Sequence, residues 1–194
     1  MRYILIYLKN TLILKTKVVF RNLYYCWRYN LLINIGSLVS NSHFGEPCKI
    51  GKYSIVTNSN FGAYSYVANN SSIDNTSIGR YCSIGSGVYI NPGNHPIDLV
   101  STSPYLYGAM GVNASSLKKR ITIGNNVWIG NNCLIMGGVD ICECVIVAAG
   151  SIVTKSISKP GLYVGCPAVF YRSLQTIQPI NWSETPDAIK NSLF

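Results

Sequence analysis

The chain has 194 residues, enough for one domain with a substantial core, and 48% hydrophobic against 12% charged residues excludes a disordered polymer. Its formal net charge of +9 suits an anionic partner, but no zinc finger, recognition helix or aromatic RNA-binding motif is present, so nucleic acid is not expected. Seven cysteines make an odd count, and Cys142-Glu-Cys144 has the wrong spacing for a zinc knuckle or a redox pair. They read as buried small residues in a reducing cytoplasm, where the protein is expected to reside.

Residues 1–36 stand apart. Six of the 16 basic residues fall within the first 28 positions, and the first acid is Glu46. Lys9, Lys15, Lys17, Arg21 and Arg28 interrupt the apolar runs, so none reaches the roughly 20 residues that span a bilayer. No secretory signal pattern is visible. One or two helices are expected over about 3–33, ending near Gly36. They would cap the open end of a repeat array, or lie on an anionic membrane surface, or do both.

Over residues 37–172 a six-residue rhythm takes over. Branched or aromatic anchors fall at Phe44, Ile50, Val56, Phe61, Val67, Ile73, Ile78, Ile84 and Ile90. Steps of six alternate with a step of five after every third anchor, which a three-sided coil with one shortened side explains. Small residues fill the intervening slots, with Ser54, Ser65, Ser71, Ser77 and Cys82 assigned to them. The rhythm then stops for residues 91–120, NPGNHPIDLVSTSPYLYGAMGVNASSLKKR. A break this long between regular coils reads as a functional loop extruded from the array.

The series resumes in phase as Ile123, Ile129, Ile135, Ile141, Val147 and Val153. A period of six is neither helical nor a simple strand alternation, and it marks hexapeptide β-helix repeats. Beyond it, Pro160-Gly161 and Cys166-Pro167 are expected turns that close the solenoid. Residues 173–194 read as an extension with a short helix capped by Ser183 or Thr185.

Residues 44–172 resemble the left-handed β-helix acyltransferases that use acetyl-CoA. Within them, GNHPIDLVSTSPYLYG, IGNNVWIG and VAAGSIVTK are most similar to the branch of sugar, polysaccharide and xenobiotic O-acetyltransferases. The resemblance implies an all-β solenoid, a left-handed parallel β-helix with an N-terminal helical segment, one extruded loop and a short C-terminal helix. It implies a homotrimer with active sites between subunits. It also implies that His95 is the general base removing the acceptor hydroxyl's proton, a task suited to imidazole near neutral pH.

The imidazole needs an orienting acceptor, and Asp98 or a backbone carbonyl would serve. Trp128, Asn94, Asp98 and Tyr105 are candidates for the substrate cleft. The resemblance places acetyl-CoA contacts at Asn131, Ala149, Thr154, Lys155 and Arg172, with Lys159 as an addition. Where the family carries a cation three residues before Arg172, this chain has Val169, and Lys118–Arg120 are the candidates to replace it. No metal is expected, since zinc-binding relatives use three histidines and this chain has two.

The expected reaction is acetyl transfer from acetyl-CoA to a sugar hydroxyl, with a precursor of a surface polysaccharide such as O-antigen or capsule as acceptor. The basic apolar N-terminus motivates a contact with the inner membrane face. The alternatives are an antibiotic O-acetyltransferase of the virginiamycin or chloramphenicol type, and a non-catalytic β-helix scaffold.

Overall fold

A computed structural model describes residues 2–113, 118–174, 181–184 and 186–188, with side chains from residue 16 onward. Among the described residues, nineteen short strands form three sheets of eight, six and five strands, parallel except for the last pair, and up to Gly161–Val164 successive strands pass from one sheet to another. The result is a three-sided parallel solenoid whose sides we call faces I, II and III.

The anchors form three inward columns. Face I carries Ile50, Val67, Ile84, Ile129 and Val147; face II carries Val39, Val56, Ile73, Ile90, Ile135 and Val153; face III carries Phe44, Phe61, Ile78, Ile123 and Ile141. All are buried, most of them completely. Each such aliphatic stabilises the fold by roughly 1.5–3 kcal/mol relative to leaving it in water.

The step of five falls at the edge between faces II and III, as Val39 to Phe44, Val56 to Phe61 and Ile73 to Ile78. Asn41, Asn58 and Asn75 turn that corner with φ of 47°, 51° and 46°. Asparagine tolerates this left-handed backbone better than other residues with a Cβ. The shortened step also moves the small slot. Ser42, Ser59 and Thr76 fill it, three residues after their anchors, whereas Ser77, expected there, lies half-buried on the outer side of its strand. A slot counted at a constant spacing misses this.

Corner serines tie the coils together. Ser54 Oγ donates to the Ala68 carbonyl at 2.8 Å and accepts from the Ser71 N–H at 3.2 Å. Ser71 Oγ donates to the Gly85 carbonyl at 3.0 Å and accepts from the Val88 N–H at 3.1 Å. Cys48, Cys82 and Cys133 occupy equivalent buried positions, and all seven cysteines are free. Burial pushes the Cys48 and Cys82 thiols up to about 11.

At the N-terminal end, helix α1 runs Arg2–Tyr29, and the first strand, Leu31–Ile33, begins within the stretch expected to be helical. That strand pairs with Cys48–Ile50, so the solenoid already includes residues 31–36. Tyr25 and Tyr29 pack against Phe44, which stacks on Phe61 at 5.1 Å, and so cover the end of the core. At the other end, Gly161–Val164 extends face I in parallel and Val169–Arg172 folds back on it antiparallel.

The described residues of the C-terminal extension return to the edge between faces III and I. Arg80 Nη2 donates to the Glu184 carbonyl at 3.2 Å, the Tyr81 hydroxyl donates to the same oxygen, and Trp182 lies against the Tyr81 ring. Residues 186–188 are helical; Thr185, an expected cap, lies outside the described residues.

Candidate functional site

The extruded loop leaves face II after Ile90 and rejoins face III at Ile121. It therefore replaces the II–III corner of the fourth coil. Asn91 plugs its base: its side chain is buried, and its Nδ2 donates to the Lys119 carbonyl at 3.0 Å. A Cβ on Gly137 would stand 2.9 Å from Asn91 Oδ1 and 3.4 Å from Asn94 Nδ2, so the loop's start lies directly on the next coil.

The loop holds a short helix, α2, Pro104–Ala109, with proline in its first turn. Tyr107 on α2 is buried and meets the exposed His95 ring edge-to-face at 6.0 Å. His95 Nδ1 lies 2.9 Å from the Thr102 carbonyl. With the proton on Nδ1 donated to that oxygen, Nε2 is left as a free base. The orienting group is thus a backbone carbonyl; Asp98 is exposed, and Tyr105 projects into solvent at 91% exposure.

A cleft of about 310 Å³ opens on face I toward the I–II edge, lined by Trp128, Gly130, Asn131, Ile146, Val147, Ala148, Ala149 and Leu162. Gly130 is required there, because a Cβ would stand 2.5 Å from the Ala149 backbone nitrogen. Trp128, Ile146, Leu162 and Arg172 are successive neighbours along the outer side of face I. Four expected site residues, Trp128, Asn131, Ala149 and Arg172, therefore share one surface.

The remaining ones do not join them. Thr154 and Lys155 follow Val153 of face II and sit exposed at the II–III edge, on the same side as the His95 loop. Lys159 is occupied otherwise, with Nζ 4.5 Å above the Phe170 ring. Within one chain, the width of face II separates the histidine set from the cleft set.

One feature escaped the sequence reading. A polar groove of about 500 Å³ runs along the II–III edge beside the loop base, lined by Asn41, His43, Asn58, Asn60, Asp74, Asn75, Lys118 and Arg120. Asn41 Nδ2 donates to Asn58 Oδ1 at 2.7 Å, and Asn58 Nδ2 donates to Asp74 Oδ1 at 2.8 Å. Lys118 is ion-paired with Asp74, and Arg120 reaches the Asn60 amide oxygen at 3.1 Å once that amide is turned to face it. Burial alone would raise the Asp74 carboxyl, but hydrogen bonds from Lys118, Thr57 and Asn58 outweigh it and hold Asp74 below its usual range. The signal was present: asparagine recurs every 17 residues at 41, 58 and 75. Lys118 and Arg120 lie on the II–III edge, so within one chain they do not replace the cation absent at Val169. Among the described residues, no group of three His, Cys, Asp or Glu side chains is placed to hold a metal ion.

Comparison with known proteins bears on this geometry. Residues 120–155 match the family described as "Bacterial transferase hexapeptide (six repeats)". A probable macrolide acetyltransferase of Lysinibacillus sphaericus is 37% identical over 100 residues, covering 47% of this chain and 56% of that one. The galactoside O-acetyltransferase of Escherichia coli K12 is 36% identical over 92 residues, covering 47% of this chain and 44% of that one. The chain thus spans about half the length of these relatives. Among solved structures, a variant of GDP-perosamine N-acetyltransferase from Caulobacter crescentus, in complex with CoA and GDP-perosamine, superposes with a TM-score of 0.56 at 18% identity, covering 74% of this chain and 58% of that one. In its repeat and in its parallel β-helix, the chain is similar to the hexapeptide-repeat acetyltransferases.

Proposed function

We propose that the protein is an acetyl-CoA-dependent O-acetyltransferase that modifies a hydroxyl of a sugar in a surface-polysaccharide precursor, and that it works as a homotrimer. The observation that carries this reading is His95, held at Nδ1 by the Thr102 carbonyl with Nε2 open to the surface. A base so oriented takes the hydroxyl proton as the oxygen attacks the thioester carbonyl; the C–O bond forms, the C–S bond breaks, and the proton passes to the departing sulfur. The cleft at Trp128, Asn131 and Ala149 would receive the pantetheine arm, and Arg172 at its rim would meet phosphate.

Two properties support the trimer. The histidine set and the cleft set occupy opposite edges of face II, and the outward ladder of face II is Leu38, Ile55, Ser72, Tyr89, Leu134 and Ile152, largely apolar. Face III instead presents His43, Asn60, Ser77, Thr122 and Asp140. Three copies with face II turned to a common axis bury the apolar ladder and set the I–II edge of each against the II–III edge of the next. His95, Thr154 and Lys155 of one copy then meet the cleft of its neighbour. The amides and charges of the polar groove are of the kind that hydrogen-bond sugar hydroxyls, and the galactoside O-acetyltransferase likeness supports a sugar acceptor.

The test is free-thiol release from acetyl-CoA over a panel of sugars, nucleotide sugars, oligosaccharides and antibiotics, with products weighed by mass spectrometry. An acetylated sugar formed by the wild type and lost in His95→Ala supports the proposal. The likeness to a macrolide acetyltransferase favours a second reading, antibiotic modification, which an acetylated drug alone would establish. Failure to bind acetyl-CoA would leave the solenoid as a scaffold.

A further inference from the structure

Over residues 16–29, helix α1 faces the solenoid with the more polar of its two sides. Asn22 Nδ2 donates to the Ser37 carbonyl at 2.8 Å, the Tyr25 hydroxyl accepts from the Ser42 N–H at 3.1 Å, and Tyr29 packs beneath. The opposite side carries Phe20, Leu23, Tyr24 and Trp27 at spacings of three and four residues, exposed by 72%, 58%, 52% and 82%. A helix stripe of this kind normally marks the buried side. Here it points away from the body of the protein.

We propose that this stripe is a membrane-docking surface for an anionic phospholipid bilayer, with α1 lying in the plane of the interface. Charge selects that occupant. Lys17 and Arg28 are exposed and flank the stripe, six of the first 28 residues are basic, and no acid occurs before Glu46. The same charge disfavours a second copy, because pairing two such helices would align like-signed rows. Trp27 and Tyr24 end the stripe with amphipathic rings, which settle at the level of lipid headgroups. No described helix is long and apolar enough to cross a membrane, so α1 rests on the bilayer.

A groove of about 720 Å³ lies beside the stripe between α1 and the first coil, lined in part by Val18, Val19, Leu23, Ile33 and Ile35. Its apolar wall continues the stripe onto the solenoid and widens the surface offered to acyl chains. The docking does not depend on the transfer reaction. Where that reading holds, docking sets the His95 loop three coils, roughly 14 Å, above the membrane-facing end, within reach of a lipid-linked acceptor.

The experiment is vesicle flotation of the full chain with phosphatidylcholine alone and with phosphatidylcholine containing phosphatidylglycerol. The wild type is expected to float only with the anionic vesicles and to be released by high salt. Trp27 emission should shift to the blue on binding, and Trp27→Ser should remove the shift while Trp128 and Trp182 remain. Phe20→Ser with Trp27→Ser should weaken binding about a hundredfold, and Lys17→Glu with Arg28→Glu at least about tenfold. These side chains are exposed, so melting temperature, oligomeric mass and thiol release with a soluble acceptor should stay unchanged. Failure of the wild type to float with anionic vesicles overturns the inference, as does binding that both double variants retain. A change of oligomeric mass in the Phe20 and Trp27 variant would give the stripe to a second copy and overturn it too. Thiol release that fails while flotation succeeds would count against the transfer reading alone.

Discussion

Before the extruded loop, face II hands over to face III in five residues; after it, from Ile135 to Ile141, in six. The early coils use left-handed asparagines at that corner and repeat every 17 residues, with corner hydroxyls at Ser54, Ser65 and Ser71 bonding across coils. The later coils repeat every 18, turn the corner with Gly138 at φ 79°, and fill the small slots with Val127, Cys133, Val139 and Val145 until Ser151 closes the series, its Oγ accepting from the Gly165 N–H at 3.0 Å. The proposed transfer chemistry lies in the loop and the later coils. The polar groove and α1 belong mainly to the early ones. One repeat thus supports two constructions: a hydrogen-bonded stack at the end carrying the helix, and a largely apolar one around the cleft, with Ser151 as its one corner hydroxyl among the described residues.

The largest effect should come from the loop. His95→Ala is expected to lower kcat/KM for acetyl transfer by about 10²–10⁴-fold while leaving melting and oligomeric mass intact. Next, truncating an interior anchor should not distinguish the two halves. Ile73→Ala and Ile135→Ala should each cost about 2–5 kcal/mol in chemical unfolding, because both lose the same transfer term and leave the same kind of cavity.

The corner slots should separate them. Ser71→Ala strands the Val88 N–H and the Gly85 carbonyl, and should cost about 1–3 kcal/mol. Cys133→Ala loses a weak thiol donor to the Ala148 carbonyl and a weak sulfur acceptor for the Ser151 N–H, and should cost less; equal costs would dissolve the distinction between the two stacks.

The smallest effect concerns Asp74. Its carboxyl is held below the ordinary value, so its contribution to stability is present above that value and is lost as pH falls through the depressed folded-state value. Wild type should therefore lose melting temperature below about pH 4 more steeply than Asp74→Asn, with little difference in slope near neutrality.

Much of this fold was legible because period alone reports it. Ile123 through Val153 gave the coils, and the steps of five gave a three-sided section with one short corner. The slot at Thr76 was misplaced to Ser77 because a shortened corner also shortens the interval to the next small residue. The helix expected to reach residue 33 stops at Tyr29, where Leu31–Ile33 finds a sheet partner 17 residues on that local propensity does not reveal. For the candidate site, His95, Trp128, Asn131 and Ala149 were named from motif, whereas the Thr102 carbonyl could not be, since a main-chain acceptor leaves no mark on residue identity. Nor does sequence show that Lys155 and Ala149 stand on different edges; that follows only once six residues are seen to turn a corner.

The most direct test of the account is complementation between two inactive variants. Ala149→Trp should block the cleft and His95→Ala should remove the base, so each protein alone should be inactive in thiol release. Co-expressed with different tags and purified through both, mixed assemblies should regain activity, because a copy with an intact His95 then faces a neighbour with an open cleft. Mixed assemblies as inactive as their parents would contradict a site shared between copies.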